Sequence, residues 1–176
     1  MEKMVPIKEG VKIEINGSRI AVTGPKGTLQ RDFTSPLFEG DIKIENTDKG
    51  VKISTASYRR HVKSEVGCIA GHVRNMINGV TTGYTYTLQS VYMHFPFTVK
   101  VSGSEVVISN FLGERAARKA EIVGSTKVEV KGELIMVTGI DVDAVGQTSA
   151  NIERAARITS RDRRVFQDGI FLTKRD

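Results

Sequence analysis

The 176-residue chain has no tryptophan, a single cysteine, three histidines and aromatic residues at only 6%. Each scarcity excludes something. A lone thiol, Cys68, forms no internal disulfide, which fits a reducing compartment and makes the cytoplasm the expected location. Few aromatics argue against a base-stacking platform for single strands. No apolar run approaches the roughly 18–20 residues of a membrane span. The first ten residues, MEKMVPIKEG, hold no apolar signal core. No membrane partner is expected.

Sites for chemistry are equally scarce. Cys68 and His72 stand one helical turn apart and could ligate a metal, but only His61 and His94 remain as further histidines. The pair reads as a small buried thiol beside a surface imidazole, and no metal is expected. No Ser/His/Asp order or carboxylate pair can be singled out, so nothing calls for an enzyme, a cofactor or a small-molecule substrate. GPKGT at 24–28 superficially looks like a phosphate loop. A true one needs four residues between its glycines and a helix after them; here Pro25 removes an N–H donor and an extended segment follows. A tight turn presenting Lys26 is the better reading.

What the chain does have is a repeat. IEINGSRIAVTGPKG at 13–27 corresponds to VKVSGSEVVISNFLG at 99–113. Ile13, Ile15, Ile20 and Val22 fall on Val99, Val101, Val106 and Ile108, while Gly17, Ser18 and Gly27 fall on Gly103, Ser104 and Gly113. Apolar residues two apart on either side of a Gly-Ser turn specify a half-buried hairpin. Hydrophobic residues at 39% and charged ones at 26% fit a folded protein. The repeat divides it into 1–82 and 83–176, the second half ending in a basic tail. Units this small are marginal alone, so the halves are expected to pack together or share a partner.

The first half reads as strands at 11–16, 19–23 and 28–33, then a hairpin of 41–45 and 51–55 with a turn through Asn46, Asp48 and Gly50. A helix starts near Ser57: Val62, Val66, Ile69, Val73, Met76 or Ile77, and Val80 recur at helical spacing, with Gly79 as its stop. Gly67 and Gly71 would let it approach the sheet closely. The second half has strands at 83–92, 97–102, 105–109, 127–131 and 134–138, and a helix from about Asp143. Val145 and Ile152 take the places of Val66 and Val73. The segment ERAARKA at 114–120 looks helical by propensity. Its counterpart near 28–35 does not, so it is read as extended or loop. Strands followed by one helix, twice, define an α+β fold of antiparallel hairpins packed on a helix.

The net charge is +6, a moderate basic balance that favours a nucleic-acid partner without settling it. The strongest constellation is RAARITSRDRR at 154–164, where Arg154, Arg157, Arg161, Arg163 and Arg164 face only Asp162. Guanidinium groups make planar, bidentate contacts to phosphates. Helix-dipole complementarity accounts for Arg154 and Arg157 but hardly for the three beyond. Two weaker basic patches lie at Arg59, Arg60, His61 and Lys63, and at Arg115, Arg118 and Lys119.

Several separated motifs then resemble one family. VTGPKGTL at 22–29, NMINGV at 75–80 followed by TGY at 82–84, VGQT at 145–148 with Asn151 and Ile152, and RRVFQDGI at 163–170 are similar to the universal large-subunit ribosomal protein L-six family, in its archaeal and eukaryotic branch. The resemblance implies two tandem α/β units and a place near the stalk base and sarcin–ricin region of the large subunit. It implies rRNA binding chiefly through the second copy, with ribosomal proteins as neighbours. On that basis Arg157, Arg161, Arg163, Arg164 and Lys174, with Arg154, are expected on phosphates. Gln147 and Asn151 are expected to make polar contacts, and Phe166, Asp168 and Gly169 to fix the terminal turn. The alternative is a protein–protein adaptor built on the duplicated domain.

Overall fold

Each copy of the repeat builds two small antiparallel sheets and one helix, an α+β arrangement. The computed structural model describes residues 1–34, 42–47, 50–159, 161–162 and 164–176. They divide into two units, Met1–Gly83 and Tyr84–Asp176.

In the first unit β1 (Glu2–Pro6), β2 (Lys12–Asn16), β3 (Arg19–Gly24), β4 (Gly27–Asp32), β5 (Ile42–Thr47) and β6 (Gly50–Thr55) precede α1 (Arg60–Thr81). The sheets run β2-β3-β4 and β1-β6-β5. Alternation sets the register: Ile15 lies opposite Ile20 and Ile13 opposite Val22, so all four point to one face. Gly17 makes the turn between β2 and β3 at φ +64°, a conformation that costs a side-chain-bearing residue more. The core forms where Val5, Ile20, Val22, Val51 and Ile53 of the sheets meet Val66, Ile69, Val73, Met76, Ile77 and Val80 of α1. Each such aliphatic side chain contributes roughly 1.5–3 kcal/mol on burial. The turn expected through Asn46 and Asp48 differs in part: Asn46 lies within β5, and Asp48 is outside the described residues.

The second unit repeats the plan. β7 (Tyr84–Val91), β8 (Thr98–Ser102), β9 (Glu105–Ser109), β10 (Arg118–Glu121), β11 (Lys127–Lys131) and β12 (Leu134–Gly139) lead to α2 (Val142–Ala155). Val101 lies opposite Val106 and Val99 opposite Ile108, the register of β2 and β3 over again. Its core gathers Leu88, Val106, Ile108, Phe111, Ile135, Val137, Val145 and Ile152. Residues 114–120 are not helical; β10 pairs with β9 there, because the sheet has a place for a third strand and the helical propensity has nothing to pack on.

The units then diverge. β13 (Gly169–Arg175) adds a fourth strand, giving β11-β12-β7-β13. The expected basic tail is therefore a strand over its last part, with Ile170 and Gly169 buried. Neither β1 nor β13 has a clean apolar alternation, and both pair at sheet edges.

Four local expectations are corrected. α1 begins at Arg60, not Ser57, because Ser57 Oγ accepts the Arg59 N–H (3.4 Å) and holds a turn ahead of the helix. Gly79 does not stop the helix; it is buried on the apolar stripe beside Val80. The stop is Gly83 at φ +74°, whose N–H reaches the Asn78 carbonyl at 3.2 Å. Gly67 and Gly71 are not close-approach positions: a Cβ on Gly71 would meet nothing within 4 Å, and one on Gly67 only the flexible tip of Lys3 at 3.4 Å. The close approaches are Gly24 at the end of β3, where a Cβ would lie 2.6 Å from Val80 Cγ2, and Gly139 at the end of β12, 2.7 Å from Val145 Cγ2. Finally, Cys68 is exposed and His72 partly buried against Phe33, the reverse of a buried thiol beside a surface imidazole.

Candidate nucleic-acid interface

α2 is fixed at both ends. Asp141 caps its start, the carboxylate accepting the Asp143 N–H at 3.0 Å. Its end is closed from another strand: Arg118 donates to the carbonyls of Ala155 and Arg157, both at 2.9 Å. The same guanidinium pairs with both carboxylate oxygens of Glu114, at 2.5 and 2.8 Å, and lies 4.5 Å over the Phe111 ring. The Arg118 pairing holds the Glu114 carboxyl below the ordinary glutamate range, first through the side-chain hydrogen bond. Arg118 is thereby a structural cation. Lys119 is paired with Glu105 at 2.9 Å. Lys26 has an analogous role in the first unit: its N–H meets the Val80 carbonyl at 3.0 Å, and its ammonium donates to the Thr82 carbonyl. The GPKGT turn thus closes the end of α1.

Once Arg118 has satisfied those carbonyls, Arg154 and Arg157 stand exposed at the end of α2. The chain then enters a loop organised by Asp162. Its backbone carbonyl accepts the N–H groups of Val165 and Phe166 at 3.1 and 2.9 Å, and its carboxylate accepts the Arg164 N–H at 2.9 Å. Arg164 remains 93% exposed, with Asp162 3.6 Å away. Arg161 lies over the Phe166 ring at 4.6 Å. Arg163 lies outside the described residues.

Asp168 anchors this loop. Its side chain is 1% exposed; one oxygen accepts the N–H groups of Met93 (2.7 Å) and His94 (3.2 Å), and the other meets His94 Nδ1 at 2.9 Å. The His94 ring stacks on Phe166 at 4.5 Å. Burial pushes the Asp168 carboxyl up, but the His94 bond and the two backbone N–H groups outweigh it and hold the group below its ordinary 3.8. Asp168 and Phe166 therefore position the arginine loop rather than present themselves outward.

The remaining expected residues are spread more widely. Asn151 donates to the Glu121 carbonyl at 3.1 Å and accepts from Gln147 at 2.8 Å, so both amides lean toward β10. Lys174 is exposed on β13 and bonds Asp176 at 2.6 Å. A groove of about 780 Å³ lies between the end of α2 and β13. The exposed Arg154, Arg157 and Phe171 line it together with the buried Ala156, Ile158 and Ile170. Gln147, Asn151, Arg161, Arg164 and Lys174 do not line it. Phe166 to Ile170 of the RRVFQDGI motif line the groove, but Phe171 lies just beyond that motif, and the groove itself forms only when β13 pairs with β7. Among the described residues no group of three or more His, Cys, Asp or Glu could hold a metal.

The fold and this surface define a class: a duplicated α+β protein that presents a cluster of exposed guanidinium groups. The family model of ribosomal protein L6 matches residues 7–83 and 95–169, and the chain belongs to that family. Large ribosomal subunit protein uL6 of Methanospirillum hungatei is 47% identical over 175 residues, covering 99% of this chain and 97% of that protein. The proteins of the same name from Sulfurisphaera tokodaii and Aeropyrum pernix are each 45% identical over 172 residues, covering 98% of this chain and 91% and 93% of theirs.

Proposed function

We propose that this chain is a structural, non-enzymatic constituent of the large ribosomal subunit that binds large-subunit rRNA mainly through its second half, 83–176, in the cytoplasmic ribosome. Arg154, Arg157, Arg161, Arg163, Arg164 and Lys174 contact phosphates, and Gln147 and Asn151 contribute polar contacts near the start of α2. The site lies near the stalk base and the sarcin–ricin region, with ribosomal proteins as neighbours. Folded RNA is held by charge neutralisation and shape, with little base reading.

One observation carries this reading. Arg118 and Lys119 are matched by the Glu114 and Glu105 carboxylates, whereas Arg154, Arg157, Arg161 and Arg164 are exposed, and of these Arg164 meets Asp162 at 3.6 Å. Purified protein binds a large-subunit rRNA fragment with affinity that falls steeply as salt rises. Replacing Arg161, Arg163 and Arg164 by Ala flattens that slope by roughly one unit per lost contact. Unchanged binding in the triple variant overturns the placement. The adaptor reading has support from the exposed Tyr92, Met93 and Phe95 between β7 and β8; it requires salt-tolerant association with a protein and none with RNA.

A further inference from the structure

The groove beside β13 is built unlike a bare phosphate cradle. Phe171 lies back across its own strand: a Cβ on Gly169 would sit 3.0 and 3.2 Å from two atoms of the ring. Glycine at 169 leaves room for the ring above its backbone, and Phe171 stays 41% exposed. Phe166, also lining the groove, is not free in this way, since His94 stacks on it and Arg161 covers it. Phe171 is the aromatic surface left for a ligand.

The polar groups sort by charge. Arg154 and Arg157 line the groove as exposed side chains, while Glu153 is half-buried, its Oε1 accepting the Leu172 N–H at 2.8 Å. A carboxylate inside the groove repels a phosphate but accepts hydrogen bonds from the N–H edge of a base, as acidic side chains do for cytosine amino groups. A neutral base beside Glu153 with its phosphates on the two exposed arginines satisfies both.

We propose that this groove takes one unstacked base from a single-stranded loop of RNA, stacked on Phe171 with an N–H edge toward Glu153 and its flanking phosphates on Arg154 and Arg157. The proposal rests on the rRNA-binding reading and adds to it a single base contact, for which one aromatic suffices.

The chain has no tryptophan, so Phe171→Trp places a sole reporter in the groove. Titrated with large-subunit rRNA transcribed in vitro, the full-length F171W protein shows emission quenched in step with binding. Phe171→Leu keeps an apolar side chain but weakens binding roughly tenfold, the cost of one lost stack. It does so at unchanged salt slope, and one unpaired base regains chemical reactivity. Arg154→Ala instead lowers the slope. F171W emission that stays constant through saturation overturns the proposal, even if F171L fails to fold. So does an F171L protein with wild-type affinity and footprint. In either case, weakened binding by R154A leaves the broader reading standing. Absence of any salt-dependent binding by the unsubstituted protein removes that reading as well.

Discussion

Asp168 shows what a single residue does for this surface. Arg161 and Arg164 are not part of the buried core, and the residues that follow them are tied down by one buried carboxylate bonded to Met93 and His94. Asp168→Asn keeps the shape but removes the charge, and charge-assisted bonds of this kind are worth about 1.5–3 kcal/mol each. We expect a loss of about 2 kcal/mol in denaturant unfolding of the full chain. Because the folded carboxyl lies below its ordinary 3.8, its contribution is complete well above that pH and disappears as pH falls through the folded value. The difference in melting temperature between wild type and D168N is therefore constant near neutrality and closes in acid. A gap that stays the same in acid would mean the charge is not what anchors the loop. Gly24 is a second residue with a defined cost. A methyl there meets Val80 Cγ2 at 2.6 Å and the Val80 carbonyl oxygen at 2.9 Å. Gly24→Ala should destabilise by about 1–3 kcal/mol, the usual range for overpacking, measured as a lowered denaturation midpoint.

Among the elements, the two helices end under different cations from different places in sequence: Lys26 closes α1, and Arg118 closes α2. Arg118→Met removes the cap, the Glu114 pair and the guanidinium over Phe111 while keeping an unbranched apolar stem. The side chain is partly exposed, so the cost is about 1–2 kcal/mol. It should show as faster amide exchange over the last turn of α2, and exchange at wild-type rate there would refute the capping role. These elements also show how far the sequence could be read. The paired hairpins and the stripe from Val62 to Val80 were legible because alternation and helical spacing are local, and the repeat read each copy against the other. It also corrected the helical look of 114–120. β1 and β13 were not legible, since an edge strand with one buried face segment, such as GIFLTKR, has no period to detect. Gly79 misled because a glycine on the buried stripe and a glycine that ends a helix look alike in sequence. The arginines of the site were visible as composition. The groove was not, since Val91, Arg157 and Phe171 come together only through strand pairing.

Taken whole, the molecule is a duplication with an asymmetric addition. Two cores with no residue in common, one around Ile20 and Val66 and one around Ile135 and Val145, support two copies of the same sheets and helix. Among the described residues, β13, the arginine loop and the groove belong to the second copy. If function follows that addition, damage to the two cores has unequal consequences even when the structural damage is equal. Ile20 and Ile135 are both fully buried, and truncating either to Ala costs about 2–5 kcal/mol. At the temperature where each variant's own unit is about 95% unfolded by circular dichroism, Ile20→Ala should bind large-subunit rRNA within about twofold of wild type, the tolerance for independent sites. Ile135→Ala should lose affinity roughly twentyfold, in proportion to the folded fraction that remains. Equal losses would show that the first unit carries part of the RNA affinity, and that duplication shared the binding surface as well as the scaffold.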